Sequence, residues 1–263
     1  MNHVQFSILV VSLNPGQKLI KTVDSILEQD FEDYEILIKD GGSRDGSLDA
    51  LPEKEKIRKI VRKDTGIYDA MNQAVTEAAG EFVLFLNCGD SFHDAEVLKR
   101  TAKMIKDSPE ADIYYGDTYC EKTDSLQVAP GSITPFVCFR NIPCHQACFY
   151  RRKLFKERQY LPEYRIRADY EHFLWCVLER KAKTLALHFT VADYEGGGYS
   201  ESKENKRRDR EEHKEITRKY LSGPQLLICR LYLFVTLAPL RRKLADSKRF
   251  AAWYEKIKAG LRK

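Results

Sequence analysis

The chain has 263 residues, of which 43% are hydrophobic and 32% charged; that suits one α/β domain plus an extension, buries a core without disulfides, and excludes the disordered class. Its 7 cysteines include no C-x-x-C pair and read as reduced, cytosolic core thiols, and although Cys144 and Cys148 flank His145, no second cluster at ligand spacing completes a metal site. The net charge of +5 is uneven: from Glu201 onward 18 Lys and Arg face 8 Asp and Glu, a local +10 that leaves −5 on residues 1–200.

Met1–Phe6 is polar and lacks the pattern of a signal peptide, and no run reaches the ~18 apolar residues of a spanning helix. Phe6–Ser12 is continuously apolar, as a buried parallel strand requires. Asn14 then suits an N-cap and Pro15 the first helical position, before Leu19, Ile20, Val23, Ile26 and Leu27 recur at helical spacing. Tyr34–Lys39 predicts a second strand, ending at Asp40-Gly41-Gly42, and Ile57–Val61 a third. Ala70, Met71, Ala74, Val75 and Ala78 mark a helix closed by Gly80. Phe82–Leu86 predicts a fourth strand, ending at Asn87-Cys88-Gly89-Asp90, and Val97, Leu98, Ala102 and Ile105 a further helix face. This alternation implies a doubly wound, mostly parallel sheet.

The second half is less regular. Asp112–Thr118 and Gln127–Ala129 read as strands, and Cys148–Tyr150 as a short apolar piece before a helix at Arg151–Glu157. Tyr170, Phe173, Leu174, Val177 and Leu178 form an amphipathic helix that starts at Asp169. Gly196-Gly197-Gly198 is a loop, followed by a charged helix near 201–220, an apolar run Leu226–Leu240 and a basic helix near 242–260.

Ligands of open α/β sheets bind beyond the carboxyl ends of the strands. Asp40 and Asp90 each end a strand beside glycines, an arrangement that lets a ligand approach the backbone and is also ordinary turn chemistry. Ser12–Lys18 (SLNPGQK) has one glycine, which argues against a dinucleotide fingerprint; no G-x-x-x-x-G-K-[ST] loop and no Gly-x-Ser-x-Gly elbow is present.

The segments FSILVVSLNPGQKLIKTVDSILEQDFEDYEILIKDGGSRDGS, DTGIYDAMNQAVTEAAGEFVLFLNCGD, PCHQACFYRRKLF, IRADYEHFLW and GGGYS, in that order, resemble inverting glycosyltransferases of family 2, in the form seen in bacterial polysaccharide biosynthesis. The resemblance covers about residues 5–200. It implies a GT-A fold over residues 1–200, with a basic helical extension over 201–263, and transfer of a sugar from a nucleotide-diphosphate donor to a glycan or lipid-linked glycan hydroxyl. It places Asp40 against an N–H of the nucleotide base, which an acceptor-only carboxylate suits. It places Asp90 on a divalent metal, Mg²⁺ or Mn²⁺, against the diphosphate. Mg²⁺ takes one or two protein carboxylates and fills its other positions with phosphate and water, so one aspartate suffices although Asn87 and Gly89 stand where acidic residues are common. It makes Asp169 the catalytic base, at a helix start that favours the carboxylate and where an aspartate also serves as a cap. The family's Glu-Asp is Ala168-Asp169 here, so only Asp169 can carry that role.

Tyr68, Asp69 and Asn72 fall in the nucleotide-facing segment, with capping and surface roles as the other use. Ser12 and Asn14 lie near the nucleotide. His145 and Gln146 are expected near the acceptor or diphosphate, and Ser200 on a loop over the diphosphate, where a plain turn is the alternative. Arg44 and Asp45 flank the nucleotide loop and suit helix capping.

Two other functions compete. A nucleotidyltransferase would hold a triphosphate on a glycine- and basic-rich loop after the first strand, which Ser12–Lys18 does not supply. A nucleic-acid-binding protein would use the basic tail, but aromatic and basic residues do not interleave there, so no nucleic-acid partner is expected. The tail instead suits an acidic membrane surface. Leu226–Leu240 is broken by Arg230 and followed by Arg241-Arg242-Lys243, which predicts an interfacial segment over 226–243 on the inner face of the cytoplasmic membrane. Packing on the catalytic domain or a dimer interface is the alternative for the same run.

Overall fold

A computed structural model describes residues 4–196 and 205–236. Strands β1 (Phe6–Ser12), β2 (Tyr34–Asp40), β3 (Ile57–Val61) and β4 (Phe82–Phe85) are joined by helices α1 (Gln17–Leu27) and α2 (Ile67–Glu77). After β5 (Ser91–Phe92) come α3 (Val97–Asp107), β6 (Ile113–Cys120), β7 (Ser125–Gln127), α4 (Pro135–Arg140), β8 (Cys148–Arg151), α5 (Lys153–Glu157), α6 (Ala168–Leu174) and β9 (Thr184–Tyr194). Helices α7 (Asn205–Tyr220) and α8 (Gly223–Val235) follow. The sheet order is β3-β2-β1-β4-β8-β6-β9-β5, with β7 paired to β6. The β3-β2-β1-β4 half is parallel, so the carboxyl ends of β1, β2 and β4 share one edge.

Alternation along each strand divides the core in two. Ile8 and Val10 of β1, with Ile36 and Ile38 of β2, pack with Leu19, Val23 and Ile26 of α1 and with Val97, Leu98 and Ile105 of α3. Leu9 and Leu37, on the opposite face, join Met71, Ala74 and Val75 of α2 and Phe155, Phe173 and Leu174. A strand buried on both sides has no polar face to show, which is why β1 reads as an almost continuous apolar run and β2 has Ile36, Leu37 and Ile38 at its centre.

Several expectations shift. Asn14 does not cap α1: it adopts φ 47, and Gly16 is the N-cap. No helix follows Arg44 and Asp45, so neither caps one; Asp45 closes a turn by accepting from the Ser47 N–H and hydroxyl. The strand expected over Gln127–Ala129 is β7, two residues earlier. Strand β9 was not foreseen. His188 sits in it at φ 57, which breaks the two-residue alternation, and its register against β6 shifts around Gly116, where a Cβ would meet the Phe189 carbonyl at 2.6 Å. The basic helix expected near 242–260 and the end of the apolar run lie outside the described residues.

Helix α7 is built into the body, with Ile216 in the same core as Phe173. Glu171 of α6 is fully buried and takes Lys219 at 2.7 Å, the Tyr220 hydroxyl at 2.5 Å, and Arg158. Burial opposes its charge, but these partners outweigh burial and hold the carboxyl below the usual glutamate range. Glu171→Ala is expected to lower unfolding free energy by about 1–3 kcal/mol, because it takes the buried acceptor from partly buried Arg158 and Tyr220 and from Lys219. A carboxyl depressed on folding stabilises fully above its unfolded value and loses that contribution as pH falls through the folded one. In urea titrations the gap between wild type and Glu171→Gln should therefore be constant at neutral pH and narrow below about pH 4.

Candidate active site

The loops after β1 and β2 are stitched together. Asp40, buried at the end of β2, accepts from the Ser12 hydroxyl at 2.8 Å, the Ser43 hydroxyl at 2.6 Å, and the N–H groups of Gly42 and Ser43 at 2.8 and 2.6 Å. Burial disfavours its charge, but these four donors outweigh that and lower its pKa. They fill the acceptor positions of a carboxylate, so a base N–H reaches Asp40 only if a serine hydroxyl turns away. Asn14 accepts from the Arg44 N–H at 2.9 Å and donates its own N–H to Ser43 at 2.7 Å. Gly16 N–H donates to Asp45 at 2.8 Å. Below this edge Lys39 is completely buried and paired with Asp64 at 2.6 Å.

The Asn87–Asp90 loop is held by Thr22, a polar residue on the apolar face of α1. Its hydroxyl donates to the Asp90 carbonyl at 2.7 Å and accepts from Gly89 N–H at 2.9 Å. Gly89 has φ 101, and a Cβ there would press on Glu195 at 3.3 Å. The Asp90 carboxylate accepts from the Gln146 amide at 2.9 Å and from Glu195 N–H at 3.3 Å. Burial pushes its pKa up. Cys88 lies between the two strand-end carboxylates: burial, then Asp90 and Asp40, push its thiol up to about 12.

Asp169 stands in the first turn of α6. One oxygen takes the Tyr68 hydroxyl at 2.8 Å, and the other lies 3.2 Å from His145 Nδ1. The Tyr68 oxygen is also 2.7 Å from the Ile166 carbonyl. Burial opposes the charge on Asp169, yet His145 and Tyr68 outweigh it and hold the carboxyl below the ordinary aspartate value. Its side chain is still 20% exposed, so a proton-bearing group can reach it. The other ring nitrogen of His145 lies 3.1 Å from the Asn87 amide nitrogen. His145 and Gln146 are consecutive, and they engage Asp169 and Asp90 respectively.

Tyr68, Asn87, His145 and Asp169 are thus in direct contact, with Gln146 and Asp90 beside them. Asp69 and Asn72, on the same helix as Tyr68, are bonded elsewhere: Asp69 to Thr65 and Gln73, Asn72 by both amide ends to the Tyr160 backbone. Ser200 lies outside the described residues. Among the described residues no group of three or more His, Cys, Asp or Glu could hold a metal ion. The donor set, Asp90 with Glu195 adjoining, fits only a hard ion that draws most of its oxygens from substrate and water.

Sequence reasoning passed over Thr22, Glu195 and Glu212. Thr22 is marked by its place between apolar Leu19, Val23 and Ile26, and Glu195 by preceding the glycine run. Glu212, one of many charges on α7, carried no signal. Yet its carboxylate accepts the N–H groups of Arg165, Ile166 and Arg167 at 3.0, 3.0 and 2.9 Å, and so fixes the loop that enters α6 at Asp169.

The family model described as glycosyl transferase family 2 matches residues 7–175. A PGL/p-HBAD biosynthesis glycosyltransferase of Mycobacterium bovis is 37% identical over 203 residues, which is 74% of this chain and 78% of that protein. An uncharacterized glycosyltransferase of Mycobacterium tuberculosis is 27% identical over 73% of this chain and 76% of its own. Among solved structures, S. aureus TarS 1-349 in complex with UDP-GlcNAc superposes with a TM-score of 0.62 at 19% identity, over 83% of this chain and 72% of that one. The match spans 37% of the longer TarS chain. The mannosyltransferase PcManGT of Pyrobaculum calidifontis, in complex with GDP-Man and Mn²⁺, gives 0.65 at 14% identity, over 97% and 84%. At these identities the superpositions establish the fold, GT-A, with the mostly parallel sheet described above.

Glu212→Ala removes the acceptor for three backbone donors while leaving Asp169 in the chain. Its unfolding free energy should fall by about 1–3 kcal/mol. Hydrogen exchange at the amides of residues 165–167 should accelerate well beyond that of β1. Unchanged exchange at those amides would show that Glu212 does not hold the loop.

Proposed function

The chain belongs to glycosyl transferase family 2 and is a glycosyltransferase, and on that premise we propose that it transfers a sugar from a nucleoside-diphosphate donor to a glycan or glycolipid hydroxyl in one inverting displacement. The observation that carries this reading is the Asp169 carboxylate, held charged by Tyr68 and His145 while part of it stays open. A carboxylate so placed can take the proton of an acceptor hydroxyl as that oxygen attacks the anomeric carbon. The bond to the diphosphate breaks on the opposite side, no protein nucleophile is required, and the configuration inverts.

The donor lies along the carboxyl edge in this reading. Ser12, Asn14 and Asp40 form the loops at the base, with Tyr68, Asp69 and Asn72 on the neighbouring helix; Asn87 and Asp90 face the diphosphate and sugar. Ser200 would lie over the diphosphate. Asp90, with Glu195 beside it, would hold Mg²⁺ or Mn²⁺, which when bound neutralises charge on the departing diphosphate. Gln146 holds Asp90 in place, and His145 holds Asp169. TarS with UDP-GlcNAc and PcManGT with GDP-Man and Mn²⁺ support this class of donor and ion. The mycobacterial relative's name, which places it in PGL/p-HBAD biosynthesis, supports a glycolipid or surface-glycan acceptor.

A lipid-linked acceptor calls for a place at the membrane, and α8 suits one. Leu227, Ile228, Leu231, Tyr232, Phe234 and Val235 are all exposed on it. In the sequence Arg241-Arg242-Lys243 follow closely. No helix among the described residues is long and apolar enough to cross a membrane. An apolar surface beside basic residues docks on anionic lipid, each basic residue adding about 1 kcal/mol.

Asp169→Asn keeps the shape of the side chain but cannot take the proton. Donor binding, read by calorimetry, should persist while transfer falls by ~10²–10⁴. Transfer within a few-fold of wild type would make Asp169 only a cap. For docking, the full chain should float with phosphatidylglycerol-containing vesicles and be released by high salt. The double variant Leu231→Glu, Phe234→Glu should stay in solution with donor binding intact. Equal flotation of both proteins, or none of wild type, would reject α8 as the anchor.

A further inference from the structure

We propose that Asn87 couples the donor to the base: a donor hydroxyl fixes the orientation of its amide, the amide fixes which nitrogen of His145 carries hydrogen, and His145 thereby fixes Asp169. This rests on the reading of Asp169 as base and deepens it by making Asn87 a positioning residue.

The chain of contacts has a definite polarity. A carboxylate only accepts, so the nitrogen facing Asp169, His145 Nδ1 at 3.2 Å, must bring the hydrogen. In a neutral imidazole the other nitrogen then offers a lone pair. The Asn87 amide nitrogen lies 3.1 Å from that Nε2 and donates to it. In the neutral ring both bonds are made at once only with hydrogen on Nδ1 and with this amide orientation.

The other end of the amide supplies the reason for the orientation. Asn87 Oδ1 is buried and has no hydrogen-bond partner among the described residues. A buried acceptor without a partner costs about 1–3 kcal/mol, so the site is set to receive a donor hydrogen. Turning the amide over would put Oδ1 against Nε2 and demand a hydrogen there. The ring would then carry hydrogen on both nitrogens, or present a bare Nδ1 lone pair to the Asp169 carboxylate. For the neutral ring the amide and the base's hydrogen bond are therefore one degree of freedom.

Asn87 follows β4 at the carboxyl edge and belongs to the loop that carries Asp90. The proposed function lays the donor along this loop, and on that reading the group assigned to its oxygen is a hydroxyl of the nucleotide-sugar, on the sugar or on the ribose. A carboxylate at this position could not donate to a bare Nε2. Asparagine accepts from the donor and donates to the histidine.

The experiment uses the full chain, a nucleotide-sugar that wild type turns over, and the parent nucleoside diphosphate. Asn87→Asp keeps the shape and the acceptor oxygen but removes the N–H. Its kcat should fall roughly tenfold or more, while the donor Kd stays within about threefold. Nitrogen-15 NMR of wild-type His145 should show hydrogen on Nδ1 and a bare Nε2, sharpened by the donor. The same sharpening by the nucleoside diphosphate alone would assign the hydroxyl to the ribose; sharpening by the nucleotide-sugar only would assign it to the sugar. In Asn87→Asp the Nε2 signal should gain hydrogen. A bare Nδ1 in wild type, no response to either ligand, or an unchanged kcat in Asn87→Asp would overturn the coupling. The wild-type spectra decide the matter even if the variant fails to fold. Loss of transfer in Asp169→Asn alongside an unchanged Asn87→Asp would reject the coupling and leave the base assignment standing. Full transfer by Asp169→Asn would reject the base itself.

Discussion

Two consecutive residues, His145 and Gln146, determine the geometry of the site. One reaches Asp169 at 3.2 Å and the other reaches Asp90 at 2.9 Å, so the separation of the two carboxylates is set by a dipeptide in a single tight turn. Such a turn is stiff only if its flanks are, and here they are. Ala147 and Cys148 are fully buried, and β8 then pairs with both β4 and β6 at the centre of the sheet. Sugar transfer in one displacement needs the leaving diphosphate and the attacking hydroxyl on opposite sides of one carbon, which a fixed separation supports.

The two carboxylates are held in opposite electrostatic settings. Burial raises Asp90, whose partners are an amide and a backbone N–H. Asp169 is lowered against its burial by His145 and Tyr68. Carboxyl groups pushed apart by their surroundings suit different tasks. In the proposed function these are the receipt of a cation at Asp90, which has an amide and a backbone N–H as partners, and proton acceptance at Asp169, which its partners keep charged. The C-terminal helix α7 serves the second need at a distance. Glu212 gathers the backbone donors ahead of α6, and Glu171 locks the helix against Lys219 and Tyr220.

Much of this was legible in the sequence where local rules decide structure. Strands β1, β2 and β4 are buried on both faces, so their apolar centres identify them, and Asp40 at the end of β2 and the Asn87–Asp90 loop after β4 followed directly. The helix of Asp169 showed in the spacing of Tyr170, Phe173 and Leu174. What escaped depends on contacts far apart in the chain. Asn14 looked like a cap because its neighbour is proline, but Ser43 and Arg44 claim it from 29 and 30 residues away. Strand β9 was hidden by the left-handed His188 and a register shift. Glu212 is indistinguishable by composition from the other acids of α7; only the fold directs it at three backbone N–H groups. The partnership of Tyr68, Asn87, His145 and Asp169 likewise joins four separate segments, which no local pattern encodes.

The central claim is a single displacement at the anomeric carbon with Asp169 receiving the acceptor's proton. It is tested most directly by the configuration of the product. With an α-linked nucleotide-sugar that the enzyme uses, proton NMR of the glycan formed in the first turnovers should show the β anomer, as inversion demands. An α-linked product, with the donor's configuration retained, would contradict the account and require a different order of bond making and breaking at this site.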